Sequence, residues 1–406
     1  MIHFFNSAGP LSRFAAVVSL STFASWARAG SFTPLGSLDQ TNAFSNVIAI
    51  SRDGSAVVGN TVENGHVTAY RRQAGTMISL GNLKNKFTEY SEAGGVSRDG
   101  SVVSGMSLSP NGTEAFRWEA GIMTGLGDLP GDIFYSHGFE VSGDGSTVVG
   151  ISRTGDVGDH PFRWIDGVMH DLFDDFPKGA FPPFTNCISD DGSTIVGFEF
   201  RWRLGVVEFI DPPTGAQFAM PLQISDDGSV IVGHATFNAA RTEAFRWENG
   251  EYQLLGDLPG GAIDSRAMGV SGDGSIVVGA ASTASGMRPF IWDAQHGMRN
   301  LVDVLSRDFA LNLTDMTLTE AVGISGDGLK IAGNAVNENG RPEAWLADLS
   351  CADGDLNHDG SCSTLDIEPL LDCLLLGMPC GCADLNLDDH RDGQDIRALV
   401  DCIVTP

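Results

Sequence analysis

The sequence predicts a mainly β protein: a seven-bladed β-propeller, followed by a small α-helical module with two EF-hand-like calcium loops. Two observations carry this prediction. The first is that the nine residues SRDGSAVVG at Ser51 return six more times in closely similar form, a repeat of about 45 residues. The second is that the composition changes near the C-terminus, where an acidic pattern occurs twice. The six later copies begin at Ser97, Ser142, Ser189, Ser225, Ser271 and Ser325.

The first 29 residues predict an export signal. Arg13 precedes an apolar stretch from Phe14 to Trp26, and Ala27-Arg28-Ala29 has the small-x-small pattern of a cleavage site. The stretch is short for the ~30 Å of a bilayer core, so cleavage is favoured over a membrane anchor. We therefore expect a secreted, extracellular protein that does not span a membrane.

Residues 30–350 contain the seven repeat units, and each unit predicts four short strands. An apolar run such as Ala267–Val270 comes first, and the Asp-Gly step of the motif then predicts a tight hairpin, because glycine accepts positive φ. The β-branched run after it, such as Thr147–Val149, predicts the second strand. A run such as Ala244–Trp247 is the third, and the fourth ends in a Leu-Gly step such as Leu255-Gly256. Four strands in about 45 residues is typical of one propeller blade.

The two ends of this region predict a closed ring. The seventh unit stops after its third strand, at Glu343–Leu346, and a fourth-strand pattern stands at Pro34–Leu38. One blade completed from both ends would leave no open sheet edge. Unit four lacks about ten residues between its second and third strands, which predicts a shortened blade.

The repeated pattern A-x-G-V-S-x-D-G-S-x-V-V-G, then A-F-R-W and G-x-M-x-x-L-G, resembles the extracellular repeats of the HAF type. The resemblance covers roughly residues 34–349. It implies export and repeated β-structure, and it implies no catalytic residues.

The recurring aromatic and arginine positions are assigned mainly to packing. A tryptophan at one strand position could form a sugar platform, but Phe and Trp two residues apart share a strand face, which favours contacts between blades. The arginines between them, Arg117, Arg163, Arg201 and Arg246, are expected to stack on neighbouring aromatics or to reach the blade rim.

Charge and motifs exclude several function classes. The net charge of -28 disfavours nucleic acid and anionic membranes as partners. The sequence contains no G-x-S-x-G, no H-E-x-x-H and no phosphate-binding loop, so the protein is expected to be non-enzymatic. Six of the seven cysteines fall in residues 351–406, where export favours disulfides of undetermined pairing.

Residues 351–406 contain two predicted calcium loops, for two Ca²⁺ ions. Their spacing matches the 12-residue loop whose oxygen ligands surround one hard cation. The predicted ligands of the first loop are Asp355, Asn357, Asp359, Ser361, Ser363 and Asp366. Those of the second are Asp384, Asn386, Asp388, His390 (through its carbonyl), Asp392 and Asp395. We expect weaker binding in the second loop, because Asp389 replaces the glycine at position 6.

An apolar helix pattern follows each loop: Ile367, Leu370, Leu371 and Leu374 after the first, and Ile396, Leu399, Val400 and Ile403 after the second. This tandem arrangement resembles a dockerin type I module. The resemblance implies two calcium ions and docking onto a cohesin-like partner protein, often in polysaccharide breakdown. The docking positions of that family correspond here to Thr364-Leu365 and Gly393-Gln394.

Together these features predict a secreted, non-enzymatic binding or display protein that attaches through a calcium-dependent, dockerin-like module. A glycan is a candidate ligand of the propeller. Two alternatives stay open at this point: a carbohydrate-active propeller enzyme in polysaccharide catabolism, and a structural surface component.

Overall fold

The computed structural model describes residues 30–39, 43–84, 89–131, 133–155, 158–178, 184–309, 311–313, 315–349, 363–368, 370–371 and 393–404. The predicted signal segment, residues 1–29, lies outside the described residues. Within them the protein is mainly β-structure, and its strands follow the repeat units defined by the sequence.

The strands of the N-terminal half begin with a single strand, β1, and continue in groups of four, one group per unit. They are β1 (Ser31–Pro34); β2 (Ser45–Ile50), β3 (Ala56–Glu63), β4 (His66–Gln73), β5 (Thr76–Ser79); β6 (Ser91–Val96), β7 (Val102–Leu108), β8 (Thr113–Glu119), β9 (Ile122–Gly125); β10 (Ser136–Val141), β11 (Thr147–Thr154), β12 (Gly158–Ile165), β13 (Val168–Asp171).

The remaining units continue the same order, and the last has three strands. They are β14 (Thr185–Ile188), β15 (Thr194–Gly197), β16 (Phe200–Arg203), β17 (Val206–Phe209); β18 (Phe218–Ile224), β19 (Val230–Asn238), β20 (Arg241–Glu248), β21 (Glu251–Gly256); β22 (Gly260–Val270), β23 (Val277–Thr283), β24 (Gly286–Asp293), β25 (Gly297–Asn300); β26 (Met316–Ile324), β27 (Lys330–Asn337), β28 (Pro342–Asp348). In unit four β15 and β16 have only four residues each, as its short sequence predicts.

Within each group, consecutive strands pair antiparallel. A short parallel pairing of β20 with β22 joins the groups of units five and six into one longer sheet. The first strands contact each other in chain order, and β26 contacts β2, so the units form a closed circle. The hydrophobic core lies mostly between neighbouring groups. One cluster, for example, joins Val58 and Ala69 of unit one to Phe116 and Trp118 of unit two.

The two ends of the β region meet in one sheet. β1 pairs antiparallel with β28, and Phe32 stacks on the buried Trp345 at 5.8 Å between ring centroids. The predicted pairing is confirmed, but the strand begins earlier than the predicted Pro34–Leu38. Leu35 still donates its N–H to the Ala344 carbonyl, and Gly36 then turns the chain away with a φ of 70°. The Leu-Gly step therefore follows the strand instead of lying in it.

Helical structure is limited in the described residues. A short helix α1 (Leu301–Asp303) continues into a π-helical turn, Val304–Asp308, and buries Leu301 and Leu305 between units six and seven. Two 3₁₀ turns span Leu172–Asp175 and Thr364–Asp366. Helix α2 (Gly393–Val404) is the second predicted apolar helix, and among the described residues no complete two-loop module is seen.

Candidate functional site

The Ser-x-Asp-Gly turns position the first strands around the centre of the molecule. In every copy the motif serine donates to the Asp Oδ1 at 2.5–2.9 Å and accepts the N–H five residues later at 2.9–3.0 Å. The same Asp Oδ1 accepts the N–H two residues on. Each motif glycine has a φ of 68–77°, as the hairpin prediction requires. The turn is thus a fixed structure in all seven copies.

Backbone hydrogen bonds link the seven x positions in a closed ring, and in units one and four the donor is the N–H of the following motif aspartate, Asp53 or Asp191. Each x carbonyl accepts an N–H from the preceding unit, at 2.7–3.4 Å, and the last bond runs from Gly326 N–H to the Arg52 carbonyl. The ring residues are Arg52, Arg98, Gly143, Asp190, Asp226, Gly272 and Gly326. Seven strands spaced about 4.8 Å apart enclose a circle roughly 11 Å across. Side chains at x can therefore meet across it.

Two ion pairs cross this ring. Arg52 Nε lies 3.0 Å from Asp226 Oδ1, and Arg98 Nη2 pairs with Asp190 Oδ2. The ring glycines stand between the partners and leave room for them. A Cβ on Gly143 would lie 1.9 Å from Asp190 Oδ1, and one on Gly272 would lie 2.5 Å from Asp226 Oδ2. The ion pairs thus form a floor at this end of the central channel.

Above the floor lies a cavity of about 240 Å³, walled by the first strands of all seven units. One row of its wall is mainly apolar, with Ile48, Phe139, Leu222, Met268 and Val322. Its polar side chains are Arg52, Glu140, Asn186, Asp190 and Gln223. An apolar wall with a few converging polar groups is the usual composition of a small-molecule site, which makes this cavity the candidate functional site.

Glu140 is the most perturbed acid of the site. Burial raises the pKa of its carboxyl to about 7, against the opposing effects of the Val141 N–H, the Arg52 charge and the Gln223 side chain. A Cβ on Gly95 would lie 2.2 Å from Glu140 Oε1, so Gly95 leaves the space that this carboxyl occupies. Near neutral pH the group is therefore close to half protonated and can gain or lose a proton.

Sequence reasoning missed this site, although one signal points to it. Glu140 stands two residues before the motif serine, where the other copies have Ala49, Gly95, Cys187, Gln223, Gly269 and Gly323. A single carboxylate at a position where the other copies have mostly small residues can be recognised from the sequence alone. Burial also raises the pKa of the neighbouring Cys187 thiol, which is buried and unbridged.

The repeated tryptophans and arginines lie between neighbouring units. Trp118, Trp202, Trp247 and Trp292 are each only 4–5% exposed. The Arg163 guanidinium lies 5.0 Å from the Trp202 ring centroid, and Arg201 lies 5.1 Å from that of Trp247. The predicted stacking is confirmed for these two arginines. Arg117 and Arg246 instead donate Nε to the next motif's glycine carbonyl, at 2.8–2.9 Å.

Most of the predicted calcium ligands lie outside the described residues. Those outside are Asp355, Asn357, Asp359, Ser361, Asp384, Asn386, Asp388, His390 and Asp392. Ser363 directly precedes the 3₁₀ turn and accepts the Leu365 N–H at 3.1 Å, while Asp366 ends that turn. Asp395 is the third residue of α2. Of the six C-terminal cysteines only the backbone of Cys402 is described, so disulfides and calcium ligation stay predictions.

The described part of the chain lacks two features, a metal-binding cluster and a membrane-spanning helix. Among its residues no cluster of three or more His, Cys, Asp or Glu side chains is arranged to hold a metal ion. None of its helices is long and apolar enough to cross a bilayer.

Comparison with solved structures identifies the fold class. An oligogalacturonate lyase from Vibrio parahaemolyticus matches with a TM-score of 0.52 and 12% identity, over 79% of this chain and 97% of that one. An oligogalacturonate lyase in complex with manganese matches with a TM-score of 0.51 and 13% identity, over 80% and 98%. The β-propeller domain of the trilobed protease from Pyrococcus furiosus, which has an open velcro topology, matches with a TM-score of 0.51 and 9% identity, over 78% and 98%.

This protein has a β-propeller fold, and at such low identities the likeness extends to the fold alone. No protein-family model and no curated protein matches the sequence. The resemblances to HAF repeats and to dockerin therefore stay predictions.

Proposed function

We propose that the protein is a secreted, non-enzymatic binding protein: a seven-bladed propeller that holds a ligand in its central cavity and attaches through a calcium-dependent, dockerin-like module. The observation that carries the binding role is the cavity itself, because all seven first strands wall it and polar groups converge at its floor. Seven blades are supported by the strand groups and by the seven-membered backbone ring.

The duplicated module is supported by equal burial at equivalent positions of its two halves. Leu370 and Leu399, each four residues after the last predicted ligand of its loop, are both 2% exposed. Ile367 and Ile396 are both 41% exposed, one residue after that ligand. Two halves with the same buried and exposed positions are expected of tandem copies of one helical unit. Leu365, at a predicted docking position, is 65% exposed and accessible to a cohesin-like partner.

Calcium binding is tested by calorimetry on the full-length protein. Asp366→Ala should weaken the first site more than Ser363→Ala, because position 12 supplies a charge and two oxygens. Asp395→Ala should act on the second site in the same way. Absence of calcium-dependent heat, or two sites unaffected by both aspartate changes, would contradict the module assignment.

The binding role is tested against the enzyme alternative on the same protein. A glycan array and a panel of polysaccharides that includes polygalacturonate are treated in parallel, and bound protein, new reducing ends and unsaturated products are measured. We expect no chain cleavage, with or without added divalent metal. Cleavage that persists across independent preparations, and that is lost on Glu140→Gln, would replace the binding proposal with a carbohydrate-active enzyme.

A further inference from the structure

The floor of the central cavity has an acceptor that no described group satisfies. Asp190 is almost fully buried, with 3% of its side chain exposed, and it lines the cavity. Its Oδ2 pairs with Arg98, but among the described residues Oδ1 has no hydrogen-bond partner. A buried carboxylate oxygen without a donor is costly, by about 1–3 kcal/mol or more, so the site favours a ligand that donates.

The donors of the cavity wall are already engaged. Arg52 contacts Asp226 through Nε and donates Nη1 to the Val270 carbonyl at 2.8 Å and Nη2 to the Ile224 carbonyl at 2.6 Å. Asn186 donates Nδ2 to the Pro221 carbonyl at 2.6 Å. The Gln223 side chain bonds to Glu140. Among the described residues that line the cavity, the buried polar side-chain atom without a hydrogen-bond partner is an acceptor, Asp190 Oδ1.

The charges of the site also favour a cationic ligand. Asp190 and Asp226 are balanced by Arg98 and Arg52, which leaves the ionised form of Glu140 without a cation of its own. Burial accordingly raises the pKa of this carboxyl to about 7, so that it is close to half protonated near neutral pH. A cation in the cavity would supply the missing charge and displace that proton.

We propose that the central cavity binds a primary alkylammonium group. An ammonium has three donors and no acceptor, which complements the unpartnered Asp190 Oδ1 and the negative charge of the Glu140 carboxylate. The apolar row above, including Ile48, Leu222 and Met268, is suited to a methylene chain, and Phe139 offers an aromatic face. At about 240 Å³ the cavity is smaller than the ~300–1,000 Å³ usual for ligand pockets, which limits it to a small amine or to the end of a longer one.

This inference rests on the proposed binding role of the propeller and is independent of the C-terminal module. The ammonium has two candidate sources, a free alkylamine and the lysine side chain of a peptide. The two ion pairs cross the ring at one end of the channel, so we expect either source to enter from the end where the first strands begin.

Proton linkage predicts how the affinity of the cavity for the ammonium changes with pH. The groups near the Glu140 carboxyl are Arg52, Gln223 and Cys187, with Asp190 and Asp226 at the cavity floor. An amine with the pKa of lysine stays protonated from pH 6 to pH 8, whereas Glu140 changes from mostly neutral to mostly ionised. Affinity should therefore rise about tenfold between pH 6 and pH 8.

The test is isothermal titration calorimetry of the full-length protein with butylammonium, with 1-butanol as the uncharged probe and a lysine-containing peptide as the macromolecular one. Butylammonium should bind with proton release, shown by heats that depend on the buffer's ionisation enthalpy, and butanol should not bind. Glu140→Gln should abolish the pH dependence and weaken binding at least tenfold at pH 8. Asp190→Asn should also weaken it.

Two further variants keep the proposal falsifiable. Arg98→Gln removes the partner of Asp190 but keeps the acceptor, so binding should persist or strengthen. Glu119→Gln changes a carboxyl on the outer rim, 53% exposed, and should have no effect. Folded protein that shows no saturable heat with either amine, or binding unaffected by both Glu140→Gln and Asp190→Asn, would overturn the inference. Such a result would leave the calcium calorimetry and the glycan array to decide the proposed function separately.

Discussion

At the residue scale, the motif serine links the turn to the strand that follows it. Ser142 is 1% exposed, and its hydroxyl donates to Asp144 Oδ1 at 2.6 Å while it accepts the Thr147 N–H at 3.0 Å. The hydroxyl thus satisfies a buried N–H that the hairpin cannot pair. This explains why serine stands at the first motif position in all seven copies.

Ser142→Ala should lower the free energy of unfolding by about 1–3 kcal/mol, because the Thr147 N–H loses its buried acceptor. The measurement is thermal or chemical denaturation of the full chain. Ser146→Ala in the same turn is the matched control, because that side chain is exposed, and it should change stability by less than about 0.5 kcal/mol. Equal effects of the two changes would contradict the role assigned to Ser142.

The motif aspartates should make stability depend on pH. For Asp144, the hydrogen bond from Ser142 is the largest cause of a lowered pKa, opposed by burial and assisted by the Ser146 N–H. Hydrogen bonds from Ser101 and from Ser229 are likewise the largest causes at Asp99 and Asp227. A carboxyl whose pKa is lower in the folded state stabilises fully above its unfolded pKa of about 3.9, and this contribution is lost as pH falls through the folded value.

Urea denaturation from pH 6 to pH 3 should therefore show falling stability, with a smaller fall in Asp144→Asn. Asparagine keeps the Oδ1 acceptor but does not titrate at this position. The comparison between variant and parent isolates one carboxyl, because buried acids such as Glu140, whose pKa is raised, act in the opposite direction. Identical pH profiles for the two proteins would refute the assignment.

At the element scale, the last glycine of each motif is fixed by a close approach of two strands. A Cβ on Gly150 would lie 1.9 Å from the His137 carbonyl oxygen and 2.9 Å from the Phe162 ring. The equivalent position in every other copy would meet the preceding strand's carbonyl at 1.9–2.1 Å. The first strand carries a bulge next to this point, such as that between Gly138 and Glu140. The glycine lets the aromatic ring of the third strand of the same unit, here Phe162, pack against a backbone without a side chain.

Gly150→Ala should destabilise the protein by about 3 kcal/mol or prevent folding, because the methyl group has no space. Gly121→Ala provides the contrast, because its φ is 85° but nothing lies within 4 Å of its Cβ position. It should cost about 1 kcal/mol of backbone strain. Denaturation curves of both variants measure the difference. A milder effect at Gly150 than at Gly121 would contradict the close-approach explanation.

The strands and hairpins could be predicted from sequence because their causes are local. Asp-Gly at Asp144-Gly145 requires a turn, and the β-branched run after it requires a strand, whatever the rest of the chain does. The ring contacts could not be predicted, because they join residues far apart in the chain. Arg98 and Asp190 meet across a circle that only the folded units define, and Glu140 becomes a buried acid only there. The calcium loops are again a local pattern, and they stay predicted.

At the scale of the whole molecule, closure of the propeller ring depends on β1, a strand of four residues. β1 covers the edge of β28, and Phe32 packs on Trp345, which is fully buried. Removing residues 30–40 together with the predicted signal segment, residues 1–29, should lower the melting temperature and promote self-association through the exposed edge. The control is the protein that lacks residues 1–29 alone. Unchanged melting and monomeric behaviour after the longer truncation, checked by light scattering, would refute closure by β1.

Most binding sites use the same groups to maintain the structure and to contact the ligand, whereas the backbone ring uses different groups for each. Main-chain atoms hold its seven members together, so the hydrogen bonds of the ring do not depend on which side chain stands at x. Arginine, aspartate and glycine all occupy the position already. A lineage of such proteins could therefore exchange the chemistry of the channel floor, an ion pair together with the glycines that leave room for it, while the backbone ring stays unchanged. Variation among its members should concentrate at these seven positions, while the flanking Ser, Asp and Gly persist.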